Sequence, residues 1–308
     1  MHSMSELLLG IDGGGSNTRA LLASLDGTVL GRGYAPSSNL QSVGFPAATA
    51  AIRQAIAAAF DAAGIAADTP IAAACLGLAG VGRPADHTRI AAWIEHEAIA
   101  RRSAIVTDAE PVLAAGTPEG WGVALISGTG SVCVGRDRQG RAVQVGGWGY
   151  LLGDEGSGYD LAIRALRLAT QTADGRAEAH ALLDAVLRHW NLAAPVDLVG
   201  HVYRTAIMRP AIADLTRPVV ALAAQGDRDA LDLLEGAAVE LARAARVAAR
   251  RLGLHEPPVA LAGGLLGASP ELRAALAECL GPGWGPLRYV DDPALGTLVL
   301  ARRLLTES

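Results

Sequence analysis

The sequence predicts an α/β protein made of two related lobes. Apolar runs that suit buried strands alternate with segments of helical periodicity, as in α/β folds. Two stretches roughly 115 residues apart also share one pattern: an apolar strand, a glycine-rich turn, a second strand, a polar turn and a third strand. A pattern that returns at this spacing predicts a duplicated architecture, and 308 residues suffice for two cores of ordinary size.

The two copies of this pattern fix the surroundings of each glycine-rich turn. In the first copy, strands are predicted over residues 7–11, 18–25 and 28–33, with the glycine-rich turn at 13–16 and an Asp26-Gly27 turn before the third strand. In the second copy they are predicted over 123–126, 132–135 and 141–145, with the glycine-rich turn at 127–131. Each turn joins two strands, whereas a dinucleotide-binding fingerprint joins a strand to a helix. That class of site is therefore excluded.

Apolar periodicity and end signals predict the remaining elements. Helices are predicted over residues 47–63, 87–98, 229–252 and 296–305, with more helix after residue 158. Gly64 is expected to end the first of these helices. Buried strands are predicted over 71–78, 103–106 and 259–261, and the last of them runs into Gly263 and Gly264.

The composition excludes several kinds of chemistry. All 26 basic residues are arginine, so a Walker-type phosphate loop, a Schiff-base lysine and the ATP-binding lysine of eukaryotic protein kinases are ruled out. The net charge of −5 gives no general attraction to nucleic acids or anionic membranes. No stretch reaches the roughly 18 apolar residues of a membrane span, and the first residues do not resemble a signal peptide. We therefore expect a cytoplasmic protein.

The cysteines and histidines indicate no metal site. Cys75, Cys133 and Cys279 lie far apart in apolar stretches, so we expect buried free thiols in a reducing compartment. The seven histidines include no pair at ligand spacing on one helix.

Glycine-rich hairpins can cradle phosphate, because backbone N–H groups approach an anion closely where no Cβ intervenes. The alternative is that these glycines only supply the positive φ of a tight turn. Two such hairpins in one chain favour the phosphate interpretation. Gly263 and Gly264 offer a third close approach, suited to the sugar and base of a nucleotide, unless they form an ordinary strand-to-helix turn.

Two acidic residues end predicted strands of the first lobe. Asp12 lies beside the first glycine-rich turn, where it could hold Mg²⁺ through water. Asp108 follows another strand and could accept a proton from a substrate hydroxyl during phosphoryl transfer, or simply cap the next helix. From the residues alone, Trp148 is predicted to be a core aromatic and Asp154 a helix cap.

Four motifs, in order, resemble the BadF/BadG/BcrA/BcrD family of the actin-like, Hsp70-like and sugar-kinase superfamily. They are IDGGGS at residues 11–16, TDA at 107–109, ISGTGS at 126–131 and GGWGYLLGDEGSG at 146–158. The resemblance implies a two-lobed actin-like ATPase (ribonuclease H-like) fold, with a cleft between duplicated mixed-sheet domains. The N-terminal lobe would hold residues 1–117 plus about 290–308, and the C-terminal lobe 118–289. Relatives also imply a homodimer.

Within that family the sequence resembles N-acetylglucosamine and glucosamine kinases, which implies ATP-dependent phosphorylation of the sugar's 6-hydroxyl. The resemblance places ATP phosphates at Gly14, Gly15, Ser16, Thr18, Gly128 and Thr129, and the adenosine at Gly263 and Gly264. It implies that Asp12 binds Mg²⁺ through water and that Asp108 is the catalytic base. It implies sugar contacts at Asn39, Asp108, Gly147, Trp148 and Asp154. Asn17 stands where family members often carry a basic residue. Phosphate neutralisation would therefore rest more on Mg²⁺ and backbone amides.

Other functions remain open from the sequence. An ATP-driven activator of acyl-CoA dehydratases or reductases would need cysteines that ligate a shared [4Fe–4S] cluster, and neither Cys75 nor Cys279 belongs to a recognisable partner motif for Cys133. A non-catalytic sugar sensor on the same fold is the third possibility. For a kinase, the choice among N-acetylglucosamine, glucosamine, N-acetylmuramic acid and glucose is also open.

Overall fold

The computed structural model describes residues 6–15, 17–204 and 209–306. They form two compact units: one takes the residues up to Gly120 together with those from Val290 onward, and the other runs from Trp121 to Tyr289. We call them the first and the second unit. No helix in the described ranges is long and apolar enough to span a membrane.

Ten strands and thirteen helices are found in the described residues. The strands are β1 (Leu7–Gly13), β2 (Asn17–Ser24), β3 (Val29–Pro36), β4 (Ile71–Leu78), β5 (Arg102–Thr107), β6 (Gly122–Ser127), β7 (Ser131–Arg136), β8 (Ala142–Gly146), β9 (Val259–Ala262) and β10 (Leu287–Tyr289). The helices are α1 (Leu40–Val43), α2 (Phe45–Ala63), α3 (Pro84–His96), α4 (Ala109–Gly116), α5 (Gly158–Ala173), α6 (His180–His189), α7 (Asp197–Arg204), α8 (Arg209–Ala213), α9 (Thr216–Ala223), α10 (Arg228–Leu252), α11 (Gly264–Ala268), α12 (Pro270–Leu280) and α13 (Ala294–Thr306).

The two units contain sheets of the same topology. Their strand orders are β3-β2-β1-β4-β5 and, in the same sense, β8-β7-β6-β9-β10. In each sheet the first three strands along the chain form an antiparallel meander, and two parallel strands are added beside the first of them. The duplicated mixed-sheet architecture predicted from the repeat is confirmed.

Parallel pairing brings chosen chain segments to one edge of each sheet. In the first unit Gly13 lies opposite Leu78, which lies opposite Thr107. The ends of β1 and β5 are thus separated only by β4, a spacing of about 10 Å at roughly 4.8 Å per strand. In the second unit Ile126 pairs with Ala262, so the ends of β6 and β9 are direct neighbours.

Small residues let the helices of the first unit lie directly on its sheet. A Cβ on Gly33 of β3 would stand 1.9 Å from the carbonyl oxygen of Ala55 in α2, so only glycine permits this approach. The face that α2 buries consists largely of alanine, with Ile52 and Phe60. Gly64, at φ 64°, ends the helix in the left-handed conformation that the sequence predicts.

Candidate active site

The first glycine-rich turn is held by the segments that follow β3 and β4. The Ala79 N–H donates to the carbonyl oxygen of Gly13 (2.7 Å), and the Ser37 hydroxyl donates to that of Gly14 (3.1 Å). The Gly14 N–H donates to the carbonyl oxygen of Asn17 across the turn (2.9 Å). Gly15 is exposed, and a Cβ there would meet no atom closer than 3.9 Å. The turn therefore presents open backbone on its outer side.

Ser16 and Thr18 are the two predicted phosphate ligands of this turn that carry hydroxyl groups. Ser16 lies outside the described residues. Thr18 is fully buried, and its hydroxyl donates to the carbonyl oxygen of Pro36 (2.7 Å). Because its only hydroxyl proton is committed to the sheet, the Thr18 hydroxyl cannot also donate to a phosphate.

Asp12 near the end of β1 and Asp108 after β5 lie at the same edge of the first sheet, and the charges of Asp108 and Asp292 both act on Asp12. The pKa of the Asp12 carboxyl is raised from its ordinary value of 3.8 to about 6, chiefly because burial disfavours the charged form. The Arg19 guanidinium lowers this pKa, and the charges of Asp108 and Asp292 raise it. Asp292, just before α13, was not predicted as a site residue. The signal that could have identified it is the pair of acidic residues Asp291 and Asp292 ahead of the last helix.

Asp108 occupies the N-cap position of α4, but it does not act as an ordinary cap. Its backbone is helical (φ −61°, ψ −16°), and its side chain makes no capping hydrogen bond. Burial raises the pKa of its carboxyl, while hydrogen bonds from its own N–H and that of Ala109 lower it. The cap interpretation is therefore wrong, and the carboxylate keeps accepting capacity toward the sheet edge.

Asn39 lies against the first turn with its side-chain amide oriented. Its Oδ1 accepts a hydrogen bond from the Gln41 N–H (3.0 Å) and so caps α1. This contact leaves Nδ2 as the free end, placed 3.9 Å from where a Gly15 Cβ would stand. A Cβ on Gly80 would come within 2.6 Å of Oδ1, so Gly80 makes room for the amide. Gln41 is held in turn by Asp86 (2.8 Å).

Ser38 adds a buried polar atom beside the same turn. The residue is fully buried, and its hydroxyl oxygen has no hydrogen-bond partner among the residues that the structure describes. A Cβ on Gly13 would stand 2.3 Å from it. An unsatisfied buried hydroxyl costs about 1–3 kcal/mol. A ligand or water that reaches this position would offset that cost.

The second glycine-rich turn is bound to the start of α5. The Ser127 and Ser131 hydroxyls donate to the carbonyl oxygens of Gly156 and Glu155, each at 2.7 Å. The Gly158 N–H donates to the carbonyl oxygen of Gly128 (2.7 Å). These contacts fix the turn, residues 127–131, against the segment 153–158.

Gly263 and Gly264 lie beside this second turn, as expected from parallel β6 and β9. Gly263 has φ +99°, and a Cβ there would stand 2.4 Å from the carbonyl oxygen of Ser127. Nothing lies within 4 Å of where a Gly264 Cβ would be. The Gly264 nitrogen is 3.5 Å from where a Cβ on Gly128 would stand. The structure thus brings together the two predicted nucleotide contacts of this unit.

The segment after β8 differs from what its residues alone predict. Trp148 is 73% exposed, so its assignment to the core is wrong. It follows Gly147, whose φ of +73° turns the chain away from β8. Asp154 is buried, but Ser157 is the residue that caps α5, so the cap assigned to Asp154 is also wrong. Asp154 instead forms an ion pair with Arg209, a residue that the sequence analysis did not identify.

The three cysteines are free. Cys75 and Cys133 are buried, and burial raises the pKa of each thiol to about 12, with a further contribution from Glu110 at Cys75. Such thiols remain protonated at neutral pH and act as small apolar residues. Cys279 is half-buried.

Comparisons with known proteins identify the family. The sequence pattern of the BadF/BadG/BcrA/BcrD ATPase family matches residues 9–281, and the chain belongs to this family. An N-acetylmuramic acid/N-acetylglucosamine kinase from Clostridium acetobutylicum is 32% identical over 300 residues, which cover 96% of this chain and 98% of that protein. An N-acetyl-D-glucosamine kinase from Dictyostelium discoideum is 29% identical over 317 aligned positions, again 96% and 98%.

A solved structure agrees with these relatives. A protein from Chromobacterium violaceum, provisionally described as an N-acetylglucosamine kinase, superposes with a TM-score of 0.77 at 31% identity, covering 97% of this chain and all of that one. The family and the actin-like ATPase fold predicted from the four motifs are therefore confirmed, and membership of an ATPase family implies the use of ATP.

The raised pKa of Asp12 predicts a pH-dependent gain in stability for Asp12→Asn. Between pH 4 and 6 the Asp12 carboxyl of the folded parent keeps a proton that the unfolded chain has lost. The stability of the parent therefore falls as pH rises from 4 to 6, and it stays lower above pH 6. At pH 7 the free energy of unfolding of the variant should exceed that of the parent by about 1–3 kcal/mol, since one pKa unit corresponds to about 1.36 kcal/mol. Urea unfolding at pH 7 and pH 4 measures the difference, which should shrink at pH 4.

Asp26→Asn is the control of opposite sign. Hydrogen bonds from Ser24 and Thr28 lower the pKa of the exposed Asp26 to about 2. Its ionised form stabilises the fold above pH 4, so this variant should lose stability at pH 7. A gain for Asp12→Asn that is equal at both pH values would contradict the assigned pKa.

Proposed function

We propose that this protein is an ATP-dependent kinase that transfers the γ-phosphoryl group to the 6-hydroxyl of an N-acetylated amino sugar. The two curated relatives, at 32% and 29% identity over nearly the whole chain, are kinases of N-acetylated amino sugars. The observation that carries the proposal is the meeting of Asp12 and Asp108 at one sheet edge, beside an open glycine-rich turn. An acyl-CoA dehydratase activator is less supported, because these relatives phosphorylate sugars.

Asp108 is the proposed catalytic base. Its carboxylate takes the proton of the 6-hydroxyl while that oxygen forms a bond to the γ-phosphorus, and the bond from phosphorus to the β–γ bridging oxygen breaks to release ADP. A base works best when its pKa approaches the working pH. The burial that raises the pKa of Asp108 acts in this direction.

Asp12 is the proposed magnesium residue. Carboxylate oxygen suits Mg²⁺, which usually keeps several waters and takes only one or two protein carboxylates together with substrate phosphates. The residues fit, since a cation would relieve the unfavourable charge of the half-buried Asp12 near Asp108 and Asp292. Among residues 6–15, 17–204 and 209–306, no three His, Cys, Asp or Glu side chains are grouped to hold a metal. Bound Mg²⁺ would supply neutralisation of phosphate charge.

The glycine-rich turns are the proposed ATP contacts. Gly15 in the first unit and Thr129 in the second would approach the phosphates with backbone N–H groups. The N–H groups of Gly14 and Gly128 close their own turns, so these two glycines would contribute close approach of the chain to the phosphates. From the sequence, Ser16 is also proposed to contact the phosphates. Gly263 and Gly264 would lie against the adenosine, which the open space at Gly264 supports.

Asn39 is the proposed sugar contact of the first unit. Its Oδ1 is occupied by the Gln41 N–H, so Nδ2 is the group left to donate to a sugar hydroxyl. Gly147, Trp148 and Asp154 are the proposed sugar contacts of the second unit. An exposed indole such as that of Trp148 offers an apolar face on which a sugar ring can stack.

The proposal is tested by ADP release with MgATP and each of four sugars: N-acetylglucosamine, N-acetylmuramic acid, glucosamine and glucose. We expect turnover with one or both N-acetylated sugars and at least tenfold lower kcat/KM with glucosamine and glucose. ADP release that no sugar stimulates would refute the kinase assignment and favour a sensor or an activator.

Asp108→Asn should keep ATP and sugar binding but lose turnover by about 10²–10⁴-fold, because the amide cannot accept the hydroxyl proton. Calorimetry measures binding and the ADP assay measures kcat. Asp68→Asn, at an exposed position of the same unit, is the matched control and should behave like the parent. If Asp108→Asn turns over at the parental rate, Asp108 is not the base.

Asn39→Asp separates the two ends of the amide. Aspartate retains the oxygen that caps α1, but it replaces the donating Nδ2 with an acceptor. We expect an increase of about tenfold in KM for the sugar, at about 1.4 kcal/mol for one lost hydrogen bond, with KM for ATP unchanged. An unchanged sugar KM in a normally folded variant would remove Asn39 from the sugar site.

A further inference from the structure

Asp154 and Arg209 form an ion pair beside the second glycine-rich turn. The Asp154 side chain is 6% exposed and that of Arg209 33%, so the guanidinium covers the carboxylate. Burial raises the pKa of the Asp154 carboxyl, while Arg209 and the backbone N–H groups of Gly149 and Ser131 lower it. Its φ of 62° lies in the left-handed region, which favours glycine but which aspartate adopts more readily than most residues. Several elements of the unit thus cooperate to hold this one carboxylate.

The surroundings of the pair are adapted to it. A Cβ on Gly130 would stand 2.5 Å from an Arg209 terminal nitrogen and 2.7 Å from an Asp154 oxygen, so a side chain there would displace the pair. The guanidinium carbon lies 5.3 Å from the centre of the Tyr150 ring, a cation–π contact. Arg209 Nε is buried without a hydrogen-bond partner in the described part of the chain. This placement of the guanidinium serves Asp154 at the expense of its own hydrogen bonding.

The charge of the pair bears on which amino sugar is accepted. A lone buried carboxylate would attract the protonated amine of glucosamine. Paired with Arg209, the carboxylate contributes no net charge, and the guanidinium is the more exposed partner. An acetamido group is uncharged and is not repelled, whereas an ammonium group near Arg209 is. Removing one partner of a buried pair leaves the other charge uncompensated.

We propose that Arg209 is a positioning residue that holds Asp154 and cancels its charge, so that this unit accepts acetamido sugars and rejects sugars with a free amine. The inference rests on the proposed sugar-kinase function and assigns its selectivity to one ion pair. Asp154 stays the proposed sugar contact, and Arg209 acts through it by holding and neutralising its carboxylate.

The test compares kcat/KM for N-acetylglucosamine and glucosamine in Arg209→Gln, Arg209→Lys and the double variant Asp154→Asn/Arg209→Gln. Arg209→Gln leaves a net negative charge. It should lower the ratio of kcat/KM for N-acetylglucosamine to kcat/KM for glucosamine at least tenfold, because KM rises for N-acetylglucosamine and falls for glucosamine. Arg209→Lys keeps the charge and should retain most of the ratio. The double variant has no net charge and should return the ratio to within about threefold of the parent, even if its turnover is slower.

Arg217→Gln is the matched control, since Arg217 is 78% exposed and pairs with Asp214 on the surface of the same unit. It should leave the ratio unchanged. A parental ratio in folded Arg209→Gln, or an increase confined to KM for ATP, would overturn the proposal, the latter in favour of a phosphate-binding arginine. If Arg209→Gln does not fold, a ratio in the double variant that differs more than tenfold from the parent also overturns it.

Calorimetric titration of each sugar separates this inference from the proposed function. A parent that binds N-acetylglucosamine but never releases ADP refutes the kinase and still permits the comparison of affinities among the variants. A parent that binds neither sugar refutes both.

Discussion

Burial of the Asp12 carboxylate at the end of β1 is the constraint on which the first unit depends. Its pKa is raised to about 6 by burial, and two further carboxylates, Asp108 and Asp292, add to the cost of ionising it. The parallel register of β1, β4 and β5 imposes this meeting, since the strand ends that carry Asp12 and Asp108 cannot separate without breaking the sheet. Sites that concentrate like charge in this way are candidates for catalysis and for cation binding.

The second unit applies the same topology to a different chemical purpose. Where the first unit places acids at the strand ends, the second places Ser127 and Gly263, which bring backbone rather than charge to the edge. Its one buried carboxylate in this region, Asp154, is neutralised by Arg209. Duplication therefore supplied two equivalent edges. The side chains at those edges made one anionic and the other close to neutral.

Local sequence patterns predict most of this arrangement. The parts that depend on contacts between distant segments could not be predicted from the sequence. The strand ends at Asp12 and Asp108 and both hairpins could be predicted because each depends on a few neighbouring residues and on sheet geometry. Arg209 could not, because it approaches Asp154 from 55 residues away and no periodicity marks it. Residue type alone predicts Trp148 in the core because tryptophan is usually buried, yet positive φ at Gly147 and Gly149 directs this segment outward.

The absence of lysine acquires a structural meaning from the two arginines near the turns. Arg19 lies opposite Asp12 across the hairpin and 3.7 Å from Asp292, and Arg209 pairs with Asp154. Both guanidinium groups are therefore compensated by protein carboxylates, and neither offers an unpaired positive charge to a phosphate. Arginine suits this task because it stays charged at any physiological pH and binds carboxylates in a fixed geometry. Under the proposed function, phosphate charge on ATP would be left to the backbone N–H groups of the turns and to a cation at Asp12, in keeping with Asn17 at a position where family members often carry a basic residue.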